Sequence, residues 1–208
     1  MDFSLLYFAN REVTDPPSEY DLLLDAARFA DEHGFTAVWL PERHFHPFGG
    51  AYPNPALAAS ALALQTSRIR LRAGSVVLPL HDPVTVVEDW SFVDNLSRGR
   101  VDIALATGWN ANDFALAPER FATRHQYTTD GIETIRDLWA GRPVDRVNGQ
   151  GELTPILTYP RPVQPAPGLW LTAAAKAETF AAAGAHGTNV LTALLFQSVE
   201  ELASKIAV

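Results

Sequence analysis

Cysteine is absent from the chain, which rules out disulfides, thiolate metal centres and thiol nucleophiles. No block of basic residues occurs either: 24 acids outnumber 16 lysines and arginines, for a net charge of -8. A nucleic-acid partner calls for a clustered positive stripe, so nucleic-acid binding is not expected. No apolar run approaches the roughly 20 residues that span a bilayer, so no membrane partner is expected. The opening residues Met1-Asp2-Phe3-Ser4 carry neither the charged nor the apolar region of a secretion signal, and a cytoplasmic location is the expectation. The glycine fingerprint of a dinucleotide-binding fold is missing too, since Ala9-Asn10-Arg11 follows the first apolar run.

The composition itself is that of an ordinary globular protein, 47% hydrophobic and 19% charged, and 1–208 reads as a single domain. Apolar runs of strand length alternate with segments of helical spacing, the pattern of successive βαβ units. Strands are expected at 3–9, 35–40, 69–78, 100–106, 169–172 and 188–192. The first helix is expected to open at Pro16-Pro17-Ser18, with Asp21 completing a capping-box pattern, and to stop at Gly34. Asn54-Pro55 and Asp82-Pro83 each place a capping side chain before a proline, predicting helices to about 66 and to near 99. Further helices are expected over Arg124–Trp139, 176–183 and 198–207. Residues 142–168 break the rhythm: they are proline-rich and contain Asn148-Gly149, which predicts an inserted hairpin or long loop.

This order implies an α/β protein with a parallel sheet, of the (β/α)8 TIM-barrel type. About six βα units are visible, whereas a full barrel has eight and about 250 residues. The C-terminal units are therefore expected to be missing, through truncation or natural shortening. A homodimer partner is the expected cover for the open seam, because unpaired strand edges invite association.

Barrel active sites form at the C-terminal ends of the strands. After the second strand comes Pro41-Glu42-Arg43-His44-Phe45-His46-Pro47-Phe48. Either Glu42 and Arg43 form a surface pair beneath covering aromatics, or an imidazole is aimed into the mouth to hold a proton near neutral pH. In the third strand, Ala73-Gly74-Ser75 offers small side chains, suited to a flat ring or simply to a bulge. After the fourth, Ala106-Thr107-Gly108-Trp109-Asn110 combines open backbone with a large ring and an amide. After the fifth, Thr172-Ala173-Ala174-Ala175-Lys176 leads into a helix whose first amides could take a phosphate.

These segments together resemble the bacterial luciferase-like flavin-dependent monooxygenases, closest to the subgroup of natural-product biosynthesis. The carrying pieces are Glu42-Arg43-His44-Phe45, Gly99-Arg100-Val101-Asp102, Thr107-Gly108-Trp109-Asn110, Asn112-Asp113-Phe114 and Leu169-Trp170-Leu171-Thr172, in order along the chain. The resemblance implies a barrel that takes up reduced FMN from a separate flavin reductase, adds oxygen at the flavin C4a position and oxidises an organic substrate. It makes His44 the catalytic residue and places Gly74-Ser75 where the family has a cis peptide under the ring. Ala106 falls at a flavin-facing position that is cysteine in luciferase. Thr107 replaces one phosphate-binding arginine and Arg124 matches another, while Ala173 and Ala174 leave mainly backbone amides for the phosphate. Phe8, Phe45, Phe48 and Trp109 are the expected apolar walls, since the reaction needs water and stray protons excluded.

Two other readings stand beside this one. His44 and His46 could form a metal pair, joined by His81, His125 or His186, as in barrel hydrolases. Alternatively the shortened barrel is a non-catalytic flavin-binding or partner subunit. The substrate is expected to be a small molecule or a carrier-bound acyl or aminoacyl group.

Overall fold

Side chains alternate across a strand, so a parallel sheet covered on both faces needs apolar residues at nearly every position. The computed structural model, which describes residues 2–8, 16–195 and 197–208, has a parallel sheet at its centre whose outer face is apolar and whose inner face carries polar side chains as well. In chain order the elements are β1 (Ser4–Leu6), α1 (Pro16–Glu32), β2 (Ala37–Leu40), α2 (Pro55–Ala63), β3 (Arg70–Val77), α3 (Pro83–Ser97), β4 (Val101–Ala106) and α4 (Arg124–Trp139). A hairpin of β5 (Val144–Val147) and β6 (Leu153–Ile156) follows, then β7 (Gly168–Thr172), α5 (Ala177–Ala185), β8 (Asn189–Leu191) and α6 (Val199–Ile206). Six strands pair in parallel in the order β1-β2-β3-β4-β7-β8 and curl into a half barrel. The antiparallel hairpin forms a separate two-stranded sheet.

Helix starts follow the local chemistry. The Asn54 side chain accepts the Ala56 amide at 2.8 Å, and that of Asp82 accepts the Val84 amide at 2.8 Å, each with proline in the first turn. The first helix opens at Pro16, within the expected Pro16-Pro17-Ser18 start, and has Ser18 and Asp21 in its first turns. A capping box does form at Ser198 and Glu201, opening α6. β1 ends at Leu6, short of the expected Ala9, and the Ala9-Asn10-Arg11 segment lies outside the described residues. Two short 3-10 segments, Ala111–Leu116 and Pro118–Arg120, occupy a stretch for which sequence spacing suggested no element. They are too short to show a period.

The outer face of the sheet meets the helices through Val38, Leu40, Leu71, Ile103, Leu105 and Leu171, all buried in the main core. The inner face is different. Trp39 and Trp170 meet edge to face at 5.1 Å, and the Arg72 guanidinium lies 4.9 and 5.0 Å from the two ring centres. Arg72 and Arg70 both bind Asp102, at 2.7 and 2.6 Å. Gly168 is required opposite this cluster, because a Cβ there would stand 2.2 Å from the Asp102 carboxylate.

Buried carboxylates also anchor the connections. Asp31 accepts the amides of Ser67, Arg68 and Ile69, which ends the α2 connection and starts β3. Burial alone would raise the Asp31 carboxyl, yet these amides hold it below its ordinary value. Asp94, fully buried in α3, accepts the amides of Val163 and Gln164 at 2.7 and 2.9 Å and the Gln164 side chain at 2.8 Å. This ties the end of the inserted segment to the barrel. Asp94→Ala leaves those buried amides without an acceptor and should lower the unfolding free energy by about 2–3 kcal/mol in a urea titration. A change below about 0.5 kcal/mol would show the anchor to be dispensable.

Candidate functional site

Because all six strands run the same way, their following loops gather on one rim, and a cavity of about 420 Å³ opens there. Its walls come from Phe8 after β1, the loop after β2, residues 74–77 of β3, the segment after β4, and residues 172–176 after β7. The Gly74–Ser75 peptide is cis, and the β3–β4 register shifts between Gly74 and Val76. A Cβ at Gly74 would stand 3.1 Å from the Trp39 Cβ, so only glycine fits there without displacement. The Ser75 hydroxyl hydrogen-bonds that of Thr172, joining two rim strands. Ala106, Thr107, Ala173 and Ala174 keep the remaining surface low, as a flat ring requires.

The loop after β2 is held from outside the sheet. The Tyr52 hydroxyl donates to Glu19 of α1 at 2.5 Å, that of Tyr20 donates to the Ala51 carbonyl, and the Arg43 amide donates to the Tyr52 carbonyl. Within the loop the Glu42 side chain is completely buried. Its Oε1 accepts from His44 Nε2 at 2.9 Å and from His81 Nε2 at 2.7 Å, and its Oε2 accepts the Val77 amide at 2.8 Å. Burial alone would raise the Glu42 carboxyl, but the His44 and His81 hydrogen bonds, with the His81 charge and the Val77 amide, hold it below its ordinary value. Burial likewise works against a charged His81, while the Glu42 hydrogen bond and charge lift it above the ordinary value. The result is a buried carboxylate carrying two imidazole donors on one oxygen.

Positive charge collects elsewhere on the rim. Arg124, at the start of α4, donates to the Gly108 carbonyl at 3.2 Å and to that of Phe121 at 2.6 Å. His125 Nε2 lies 3.4 Å from Lys176 Nζ, the residue before α5. Burial, then Lys176 and Arg124, push His125 below its ordinary value. Among the described residues no carboxylate pairs with Arg124, His125 or Lys176. Two cations and an imidazole with no acid partner make a place for an anion.

Of the residues singled out in the sequence, Phe8, Gly74, Ser75, Ala106, Thr107, Gly108, Trp109, Arg124, Ala173 and Ala174 line this cavity. His44 stands outside the lining and reaches it through Glu42, which lines it. Asn110 also stands outside: its side chain accepts the Asn112 amide and donates to Asp113. Phe8 stacks on Phe48 at 5.8 Å, whereas Phe45 faces a separate apolar groove with Phe114 and Phe121. The surface pairing of Glu42 with Arg43 does not form, because Glu42 is taken by the imidazoles. His46 is exposed and its Nδ1 accepts the Phe48 amide at 3.1 Å. Among the described residues no group of three or more metal-ligating side chains comes together. The sequence offered His125 only as a metal ligand, Glu42 as half of a surface pair and Lys176 as the end of a phosphate-binding segment, and none of the three as a named flavin-site residue. His125 and Lys176 were detectable as charges flanking the segments already under suspicion, and Glu42 only by its place at a strand end.

The model of the luciferase-like monooxygenases matches residues 1–207. The oxygenase component of a flavin-dependent trigonelline monooxygenase from Acinetobacter baylyi is 33% identical over 180 residues, covering 83% of this chain and 49% of its own. Monooxygenase RslO1 from Streptomyces bottropensis superposes with a TM-score of 0.87 at 26% identity, covering all of this chain and 64% of its own. The oxygenating constituent of 3,6-diketocamphane monooxygenase from Pseudomonas putida, solved with FMN, shares the fold with a TM-score of 0.78 at 16% identity, over 92% of this chain and 57% of its own. The chain spans about half the length of the curated relatives it matches.

The Glu42 cluster has a defined pH signature. A lowered Glu42 contributes stability above the unfolded carboxyl value of 4.5, lost as pH falls through its folded value. A raised His81 contributes below the unfolded imidazole value of 6.5, lost as pH rises through its folded value. Glu42→Gln should therefore lower the His81 titration midpoint followed by proton NMR. An unmoved midpoint would remove Glu42 as the source of the shift.

Proposed function

The chain belongs to the luciferase-like monooxygenase family, and on that footing we propose that it holds reduced FMN in the rim cavity and directs its reaction with dioxygen onto an organic substrate. The observation that carries this reading is the joining of a low, glycine- and alanine-lined cradle to Arg124, His125 and Lys176, which form no ion pair among the described residues. A flat tricyclic ring with a phosphate tail is complementary to both parts. Gly74 and Ser75 would lie against the ring, Ala106, Thr107, Gly108, Ala173 and Ala174 around it, and Arg124, His125 and Lys176 would hold the phosphate. No thiol takes part, since Ala106 has none.

Bound reduced FMN supplies the electrons that activate dioxygen. The protein contributes position, dryness and proton control. Phe8 and Trp109 line the cavity, with Phe48 stacked on Phe8, and would cover a bound flavin against bulk water. His44 and His81 hold protons at Nε2 against the Glu42 oxygen, so His44 acts as a positioning residue through the acid that lines the cavity. A separate reductase supplies the reduced FMN, the substrate is a small or carrier-bound organic molecule, and the working form is a homodimer.

Two measurements test this. Arg124→Ala and Lys176→Ala should each weaken FMN about tenfold while leaving riboflavin, which lacks the phosphate, unchanged by fluorescence titration. Equal losses for both ligands would place the phosphate elsewhere, and a native chain that captures neither would defeat the flavin reading. His44→Ala should keep FMN affinity but lower substrate oxidation by about 100-fold in the presence of reductase and oxygen. Turnover equal to the native protein would remove His44 from the mechanism.

A further inference from the structure

One charged side chain in the cavity has no place in that scheme. Arg43 projects from the loop after β2 and lines the cavity, with its guanidinium carbon 5.1 Å from the Trp109 ring centre and 5.8 Å from that of Phe48. Its Nε is buried and has no hydrogen-bond partner. Guanidinium groups keep their charge throughout the accessible pH range and carry donors in a fixed planar fork. A buried donor without a protein partner is costly, and in native structures such a group is completed by ordered water or by a ligand.

The neighbouring acids do not complete it. Glu42 is occupied by His44, His81 and the Val77 amide. Asp113, the other acid on the cavity wall, accepts from the Asn110 side chain and forms no ion pair with Arg43. Among the described residues Arg43 forms no ion pair. The loop also fixes the side chain. Gly49 has φ +83, and a Cβ there would stand 2.9 Å from the Arg43 Cδ, so the backbone closes directly on the stem. A charge held in place before any ligand arrives is prepared for recognition.

We propose that Arg43 is the substrate-recognition residue of the cavity and takes the carboxylate of a substrate whose flat or apolar body lies against Trp109 and Phe48. The proposal rests on the flavin reading only in sharing its cavity. A carboxylate suits the planar fork in bidentate fashion, and the aromatic faces flanking the guanidinium suit a ring or an acyl chain. The phosphate of the flavin has its own cations, because Arg124 holds the Gly108 carbonyl while Arg43 lies over the next residue, Trp109. Two guanidinium groups thus approach the Gly108-Trp109 turn with separate tasks.

The test uses benzoate as probe and benzamide as its neutral match, titrated calorimetrically into the full chain with and without FMN. Benzoate should bind at least about tenfold tighter than benzamide, and Arg43→Met should abolish that preference. Arg43→Lys, which keeps charge but loses the fork, should retain part of it. FMN and riboflavin affinities should be the same in all three proteins. No preference in the native chain, or a preference that survives Arg43→Met, overturns the proposal. So does a loss of FMN but not riboflavin in Arg43→Met, which would make Arg43 a phosphate ligand. The calorimetry needs no flavin, so failure of the chain to bind FMN would sink the flavin reading and leave the Arg43 result readable.

Discussion

The constraint on which this molecule depends is the parallel ladder from β1 to β8. In a parallel sheet every strand leaves at the same edge, so segments far apart in sequence arrive at one rim. Ser75 and Thr172 share a hydrogen bond across 97 positions of chain, and Glu42 meets His81 across 39, only because β2, β3, β4 and β7 keep a common direction. The shift in register after Gly74 then turns the end of β3 so that Val77 offers its amide to Glu42. Cavity, acid and imidazoles are consequences of this one geometry.

Buried charge is handled differently at each level of the barrel. Inside the sheet, Asp102 is shared by Arg70 and Arg72, and the surplus positive charge rests against the faces of Trp39 and Trp170. In the connections, Asp31 and Asp94 are satisfied by backbone amides, which converts two carboxylates into anchors for loops. At the rim, Glu42 is fully paired while Arg43, Arg124 and Lys176 have no acid partner among the described residues. The lower layers are therefore closed electrostatically, and the rim is left open for anions. This contrast, more than cavity shape, is what makes the rim read as a binding site.

Much of the fold was legible beforehand. A strand of consecutive apolar residues, as in β2, is buried on both faces, and Asn54-Pro55 and Asp82-Pro83 mark helix starts by a mechanism that acts within four residues. The hairpin was visible as a break in rhythm with Asn148-Gly149 at its turn. Where local chemistry was ambiguous the structure differs: α2 stops at Ala63, short of the expected end near 66, and the chain from Ser67 is held by Asp31 of another helix. Most of the rim residues were named from their position after strands, since strand ends are where a barrel exposes its backbone.

The sequence by itself determined the alternation of elements, the apolar faces, the places of the small residues and the absence of any thiol, because each depends on residue identity and near-neighbour spacing. It could not decide which charges are paired. Glu42 and Arg43 are adjacent in the chain and look like partners, yet the backbone turns one toward His44 and His81 and the other toward Trp109. Pairing depends on distances across the sheet and on burial, which only the folded chain supplies, and so the tertiary structure alone decided that the imidazole bonds a buried carboxylate and that the guanidinium lines the cavity.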